Sequence, residues 1–440
     1  MSKAIIHPFR NALKGNIRCP RDKSLSHRAA IIGALSRGMT SITGFSFCQD
    51  CLATVECLRA LGAKVEVFPE KEKVTVESDG LFALREPEEV LDARNSGTTI
   101  RLLAGVATGI EGLTILTGDR SLRRRPMRRI IEPLRQTGAT LGGRAKDSFP
   151  PLFILGLPKV NAIRYTLKVP SAQVKSALIF AALKGDGPSF IEEPVASRDH
   201  TENMLRYAGV SIRKEHTTII VEPCRELRAK PFPLPGDISS AAFLIALATL
   251  LPGSHIVVED VGINPHRTGF LHCLEMMGGK IKVLNQRKEF GEPRADLEVE
   301  ASPLRGCEIT AELIPSLIDE IPILAIMASQ AEGKTIISGA EELRVKESDR
   351  LQAVAQGLKS LGARVEEKVD GLIIEGPVPL QGGAVHSYGD HRIAMSFAVA
   401  GFVAQKDVII EDVACIDISY PRFFQDLTVL GCDTFSLQNP

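Results

Sequence analysis

Tryptophan is absent from the 440-residue chain, tyrosine occurs only four times, and aromatic residues make up 5% of it. Proteins that grip single-stranded nucleic acid stack bases on aromatic rings, so that mode of binding has little surface here. Charge of one sign is also missing, because 53 Lys and Arg balance 53 Asp and Glu. Zero net charge argues against a protein that coats a polyanion, although cations can still gather locally. Long apolar runs are lacking too. Ala241–Leu251 and Ile393–Ala404 fall well short of the roughly 20 residues a membrane span requires. Residues 1–18 carry no apolar core of the signal-peptide kind, so a cytoplasmic protein with no membrane partner is expected.

The usual cofactor motifs are missing as well. No G-x-G-x-x-G, G-x-S-x-G or H-E-x-x-H occurs. Gly333-Lys334-Thr335 ends like a P-loop, but Ala328 stands where the first glycine belongs and a strand pattern follows. Of the nine cysteines only Cys48 and Cys51 form a C-x-x-C, and no second pair or histidine pair completes a zinc site. Scattered thiols suit a reducing compartment. Neither metal nor cofactor is expected.

What is present is a repeat. Hydrophobic residues form 44% of the chain and charged ones 24%, ordinary for a globular protein of roughly two or three domains. A helix end, a glycine and a short strand recur six times, as in CLRALGAKVEVF, PLRQTGATLGGR, MLRYAGVSIRKE, CLEMMGGKIKVL, GLKSLGARVEEK and DLTVLGCDTFSL. Their glycines, Gly62, Gly138, Gly209, Gly278, Gly362 and Gly431, sit where a left-handed helix C-cap requires them. An apolar helix followed by a strand precedes each copy. Helices apolar nearly all round must be buried, and sheets built from neighbouring copies would bury them. The pattern predicts an α/β (α+β) fold of two pseudo-threefold domains, each of three units.

The start of every apolar helix is polar: RDKSLSHR, ARNSGTTIR, VPSAQVKS, PGDISS, SLIDEIP and YGDHRIA. Ser, Asp and Asn are good N-caps, which alone explains any single copy. Six together make a convergent set of helix N-termini, and those attract anions. Lys23, Arg28, Arg101, Lys175 and Arg392 lie at these starts, and RSLRRRPMRR, ASRDHTEN and RVKESDR add further cations. Arginines collected from separate repeats suit a bidentate grip on phosphates and carboxylates. Asp237, Asp319, Glu320, Glu347 and Asp390 fall in the same regions, either as caps and ion partners or as proton acceptors.

The segments DKSLSHR, NSGTTIRL, the RP of RRRPM, PSAQVKSA, SRDHTE, SLIDEIPILA, ELRVKESDR and GDHRIAMSF resemble the 5-enolpyruvylshikimate-3-phosphate synthase family. The resemblance implies two domains of βαβαββ units, one formed by 21–237 and the other by 1–20 with 238–440, and an active site in the cleft between them. It implies enolpyruvyl transfer from phosphoenolpyruvate to the 5-hydroxyl of shikimate 3-phosphate, with no cofactor. By the same resemblance Lys23 touches both ligands. Ser24, Arg28, Ser171, Ala172, Gln173, Arg198, Asp319 and Lys346 hold shikimate 3-phosphate, and Gly97, Arg125, Gln173, Arg350 and Arg392 hold phosphoenolpyruvate. Asp319 is the implied base at the 5-hydroxyl and Glu347 the acid at the methylene. Ala172 replaces a frequent Ser and Ser419 stands where a Lys often occurs, as in the family's second class. Gly97 leaves room for glyphosate, so inhibition is expected, and the family implies a monomer.

Two other readings are weighed against it. The sister transferase acting on UDP-N-acetylglucosamine uses a cysteine in the loop before its R-P element, and no cysteine lies between Cys57 and Cys224. An RNA-end-binding protein on related units would use the Arg run at 120–129, but neutral charge and scarce aromatics disfavour it.

Overall fold

The computed structural model describes residues 2–438. The chain divides into an N-terminal unit, Arg21–Leu234 with Lys288–Glu292, and a C-terminal unit comprising the residues up to Pro20, Pro235–Arg287 and those from Pro293 onward. Pro235–Asp237 fall with the C-terminal unit because Gly236 N–H donates to Asp260 C=O and Asp237 N–H to Pro20 C=O, both at 2.7 Å.

Each unit is built on three buried helices. In the N-terminal unit these are α1 (Lys23–Leu35), α2 (Gly97–Ala107) and α3 (Ala172–Ala182); in the C-terminal unit, α4 (Ile238–Leu250), α5 (Ile321–Gln330) and α6 (His391–Val403). They are buried on all sides, as their sequences require: α4 hides every residue from Ile238 to Thr249. Six sheets cover them, three to a unit. One shows the common pattern. Arg164–Thr166 pairs parallel with Ser189–Glu192, the strand that follows α3, with Arg164 opposite Phe190. That strand pairs antiparallel with Thr218–Val221, which pairs antiparallel with Ile212–Glu215. Lys3–Ile6 lies between Val408–Glu411 and Phe435–Gln438, and Lys14–Ile17 pairs parallel with His255–Gly262, so the first residues complete two sheets of the C-terminal unit.

The repeat read from sequence is this architecture. All six of its glycines have φ between 85° and 100°, a backbone that L side chains rarely adopt. Gly333-Lys334-Thr335 opens a strand, as expected of a sequence that is not a P-loop. Among the described residues no helix is long and apolar enough to cross a membrane.

Helices α2 and α3 touch at Gly105, where a Cβ would stand 2.1 Å from the carbonyl oxygen of Ala177. A side chain there must push two buried helices apart. Gly105→Val is expected to cost about 2 kcal/mol by overpacking, read as a lower urea midpoint with the slope unchanged.

Candidate active site

Five of the buried helices start with a side-chain cap: Asp22, Ser96, Ser171, Asp237 and Asp390 each accept a first-turn N–H. At α5 the cap residue is Glu320, which makes no such bond. Pro322 removes one donor there, and Glu320 instead takes the hydroxyl of Ser239 from α4.

In the N-terminal unit, side chains tie the three helix starts to one another. Arg28 of α1 donates from Nε to Thr201 Oγ1 at 2.8 Å and from Nη2 to Ser176 Oγ of α3 at 3.0 Å. Gln173 of α3 accepts from Arg101 Nη1 of α2 at 2.7 Å and donates to Thr98 Oγ1 at 3.0 Å. Lys23 Nζ meets Asp50 Oδ2 at 2.9 Å, and the Asp50 carbonyl accepts from Thr99 Oγ1 of α2 at 3.4 Å. Lys23, Ser24, Arg28, Gly97, Ser171, Ala172 and Gln173 thus come to one end of the unit on three helix N-termini. That end is electropositive by construction.

Its charge is strained. Burial pushes the Arg28 guanidinium down to about 10, and Arg198 adds repulsion, while Glu202 and Asp22 oppose the shift. A buried guanidinium with a half-buried one near it favours an anion between them. Arg125 is the one Arg buried within 120–129; Arg120, Arg123, Arg124 and Arg128 are exposed. Arg125 Nη2 donates to Asn95 Oδ1 at 2.7 Å. A Cβ on Gly97 would lie 3.2 Å from Arg125 Nη1 and 2.6 Å from Arg101 Nη1, so two guanidiniums reach the bare backbone of the α2 start. Lys175 behaves differently from the other cations at helix starts. It turns inward to Glu193 and Glu202, both at 2.9 Å, and serves as a buried ion pair.

In the C-terminal unit the centre is Arg350, 1% exposed at the start of helix Arg350–Ser360. Its Nε and Nη2 take both oxygens of Asp390 at 2.7 and 3.2 Å, a bidentate pair. Nη2 also donates to Glu347 Oε2 at 2.6 Å, and Nη1 reaches Asp319 Oδ1 at 3.5 Å. Burial opposes the charge of Arg350, but Asp390, Glu347 and Asp319 outweigh it and hold its pKa above the ordinary value. Lys346 Nζ stands 3.8 Å from Asp319 Oδ1, and burial lowers its pKa despite that carboxylate. Arg392 Nη1 of α6 donates to the Asp319 carbonyl at 3.1 Å. Asp319, Lys346, Glu347, Arg350 and Arg392 therefore form one cluster: carboxylates able to move protons, interleaved with cations able to hold an anion.

Sequence reasoning left three participants unassigned. Asp390 is fully buried and does two jobs, capping α6 and gripping Arg350. Its sequence position suggests a cap or an ion pair but does not point to Arg350 as the partner. Asp50 lies on a peripheral helix, where nothing in the local pattern links it to Lys23. Arg101 is legible as a cation at a helix start, but its bond to Gln173 depends on the approach of α2 to α3. Ser419 is half-buried, its N–H bonded to the Ile416 carbonyl.

Comparison with known proteins agrees with this architecture. A family model described as EPSP synthase (3-phosphoshikimate 1-carboxyvinyltransferase) matches residues 9–427. A 3-phosphoshikimate 1-carboxyvinyltransferase of Desulforudis audaxviator is 49% identical over 95% of this chain and 97% of its own. Among solved structures, an EPSP synthase from Acinetobacter baumannii superposes with a TM-score of 0.89 at 39% identity, covering both chains completely. The enolpyruvyl transferase NikO of Streptomyces tendae shares the fold at 18% identity, with a TM-score of 0.80 over 100% of this chain and 99% of that one.

Proposed function

The chain belongs to the EPSP synthase family, and we propose that its two residue sets act together on one pair of substrates. It is an enolpyruvyl (carboxyvinyl) transferase of the shikimate pathway. The reaction carries the enolpyruvyl group of phosphoenolpyruvate to the 5-hydroxyl of shikimate 3-phosphate and releases inorganic phosphate.

In this reading Arg28 and Arg198, with Lys23, Ser24, Ser171, Ala172, Gln173 and Lys346, hold shikimate 3-phosphate, its phosphate relieving the repulsion between the two guanidiniums. Lys23, Gly97, Arg125, Gln173, Arg350 and Arg392 hold phosphoenolpyruvate. Asp319 takes the proton of the 5-hydroxyl as its oxygen attacks C2 of phosphoenolpyruvate. Glu347 gives a proton to the methylene carbon in the same stage. The tetrahedral product then gives a methyl proton back to Glu347 and expels phosphate, which takes the proton held by Asp319, so each proton has a side chain to give or take it. The observation that carries the reading is the Arg350 cluster, in which Asp319 and Glu347 share one guanidinium. In the free protein that guanidinium favours ionised Glu347. A substrate carboxylate arriving on Arg350 competes for it and frees Glu347 to take up the proton it must deliver.

The test is phosphate release by the pure protein. Release is expected only with both substrates present. Silence with both would overturn the assignment of residues to this chemistry. The same reading has the enzyme act as a cytoplasmic monomer, with glyphosate competing at the phosphoenolpyruvate position. Gly97→Ala then places a methyl 2.6 Å from Arg101 Nη1 and 3.2 Å from Arg125 Nη1. It is expected to raise the glyphosate inhibition constant about 10–200-fold, the worth of one added carbon in a tight pocket. The KM for the shorter phosphoenolpyruvate should rise less. An unchanged inhibition constant would remove Gly97 from that position.

A further inference from the structure

The C-x-x-C at 48–51 has no part in the transfer just described, and among the described residues no His, Cys, Asp and Glu cluster could hold a metal ion. Its geometry is specific. Cys48 is the N-cap of the helix Gln49–Ala60, and its carbonyl accepts the N–H of Cys51 and that of Leu52, both at 3.1 Å. This first turn brings position 51 back over position 48, one turn apart at the start of the same helix. Positions i and i+3 in a helical first turn lie within the roughly 4.4–6.8 Å Cα separation a disulfide needs. We propose that Cys48 and Cys51 form a reversible disulfide, a modification site whose oxidation acts on Lys23.

The two sulfurs are not equivalent. The neighbouring Cys51 side chain lowers the Cys48 pKa against the effect of burial, helped by Lys23 and by the Ser46 side chain. Burial raises that of Cys51. Elsewhere burial pushes Cys57, Cys415 and Cys432 up to about 12. A thiolate is the nucleophile, so Cys48, at a helix N-terminus and 3% exposed where Cys51 is fully buried, is the sulfur that peroxide reaches first. Its attack on a peroxide oxygen gives a sulfenic acid and one water. The Cys51 sulfur then displaces a second water to close the S–S bond. Two thiols lose two hydrogens and two electrons, and the peroxide becomes two waters. A dithiol reverses the change by exchange.

The link to Lys23 runs through the residue between the cysteines and through Cys51 itself. Asp50 holds Lys23 Nζ at 2.9 Å, and the Cys51 thiol donates to the Lys23 carbonyl at 3.6 Å. The disulfide removes that donor and draws the first turn, with Asp50, toward Cys48. With its charge-assisted partner disturbed, Lys23 is no longer held for its ligands, and kcat/KM is expected to fall about tenfold or more on oxidation.

This effect on activity rests on the function proposed above; the bond itself does not, and one experiment separates them. The full chain is treated with hydrogen peroxide and then digested with a protease that cuts before aspartate, which splits Gln49 from Asp50. The expected result is two fragments held together, two fewer titratable thiols, and separation of the fragments with dithiothreitol. Cys57→Ser should leave this unchanged. Cys48→Ser should show full activity when reduced and no loss under peroxide. Fragments that separate without reductant, or that cease to be held together in Cys57→Ser, overturn the site. A cross-link that leaves kcat/KM unaltered overturns its action on Lys23. Should Cys48→Ser fail to fold, the fragment result on the native chain still decides the first question.

Discussion

Asp319→Asn and Glu347→Gln are each expected to lower kcat by about 10²–10⁴-fold, the usual worth of one positioned proton transfer. Both substitutions keep the side-chain volume, so neither opens a cavity beside Arg350, and substrate KM should change little by comparison. The two losses differ in their pH dependence. A base must be ionised to act, so Asp319→Asn should remove the acid limb of the kcat profile, which reports the enzyme–substrate complex. An acid must be protonated, so Glu347→Gln should remove the alkaline limb. The geometry supports this division of labour. Asp319 lies by Lys346 and has its carbonyl bound by Arg392, surroundings that favour a carboxylate. Glu347 accepts a hydrogen bond from Arg350 Nη2 at 2.6 Å, and a substrate anion on Arg350 would compete with it for that guanidinium. Steady-state kinetics across pH would decide. A variant that keeps kcat within about tenfold of the native value takes its residue out of proton transfer.

The fold is legible in the sequence because its information is local and repeated. A glycine at Gly62 or Gly278 declares a positive φ wherever the helix lies, and an apolar α4 declares burial before any neighbour is known. Six copies convert such weak signals into an architecture. The candidate site is less fully legible, because its geometry is made by contacts between repeats. Arg28 and Gln173 are cations and amides at helix starts in the sequence. That Arg28 reaches Ser176 and that Gln173 receives Arg101 follow only from the approach of α3 to its neighbours. Lys175 marks the opposite limit. It stands at a helix start like the others, yet Glu193 and Glu202, which turn it inward, lie beyond the next strand and in the next helix. Asp50 and Asp390 complete pairs with Lys23 and Arg350, and no spacing rule joins either acid to its partner.

Arg350→Met should be the most damaging single substitution for stability, at about 3–5 kcal/mol. It leaves Asp390, Glu347 and Asp319 facing one another without the guanidinium that all three share. Asp390 cannot move toward water, because its other role is to cap α6 in a fully buried position. The cluster relieves itself by binding a proton. The folded variant then holds more protons than its unfolded chain, whose carboxyl groups titrate near 4, so its stability rises as pH falls toward that range. The gap from the native protein should accordingly narrow between about pH 8 and pH 5, measured as urea midpoints. Arg350→Lys keeps the charge but offers no bidentate fork, so it should recover part of the stability while binding phosphoenolpyruvate poorly. A Met variant as stable as the native protein at every pH would mean that the three carboxylates need no cation. Arg350 would then serve the substrate alone.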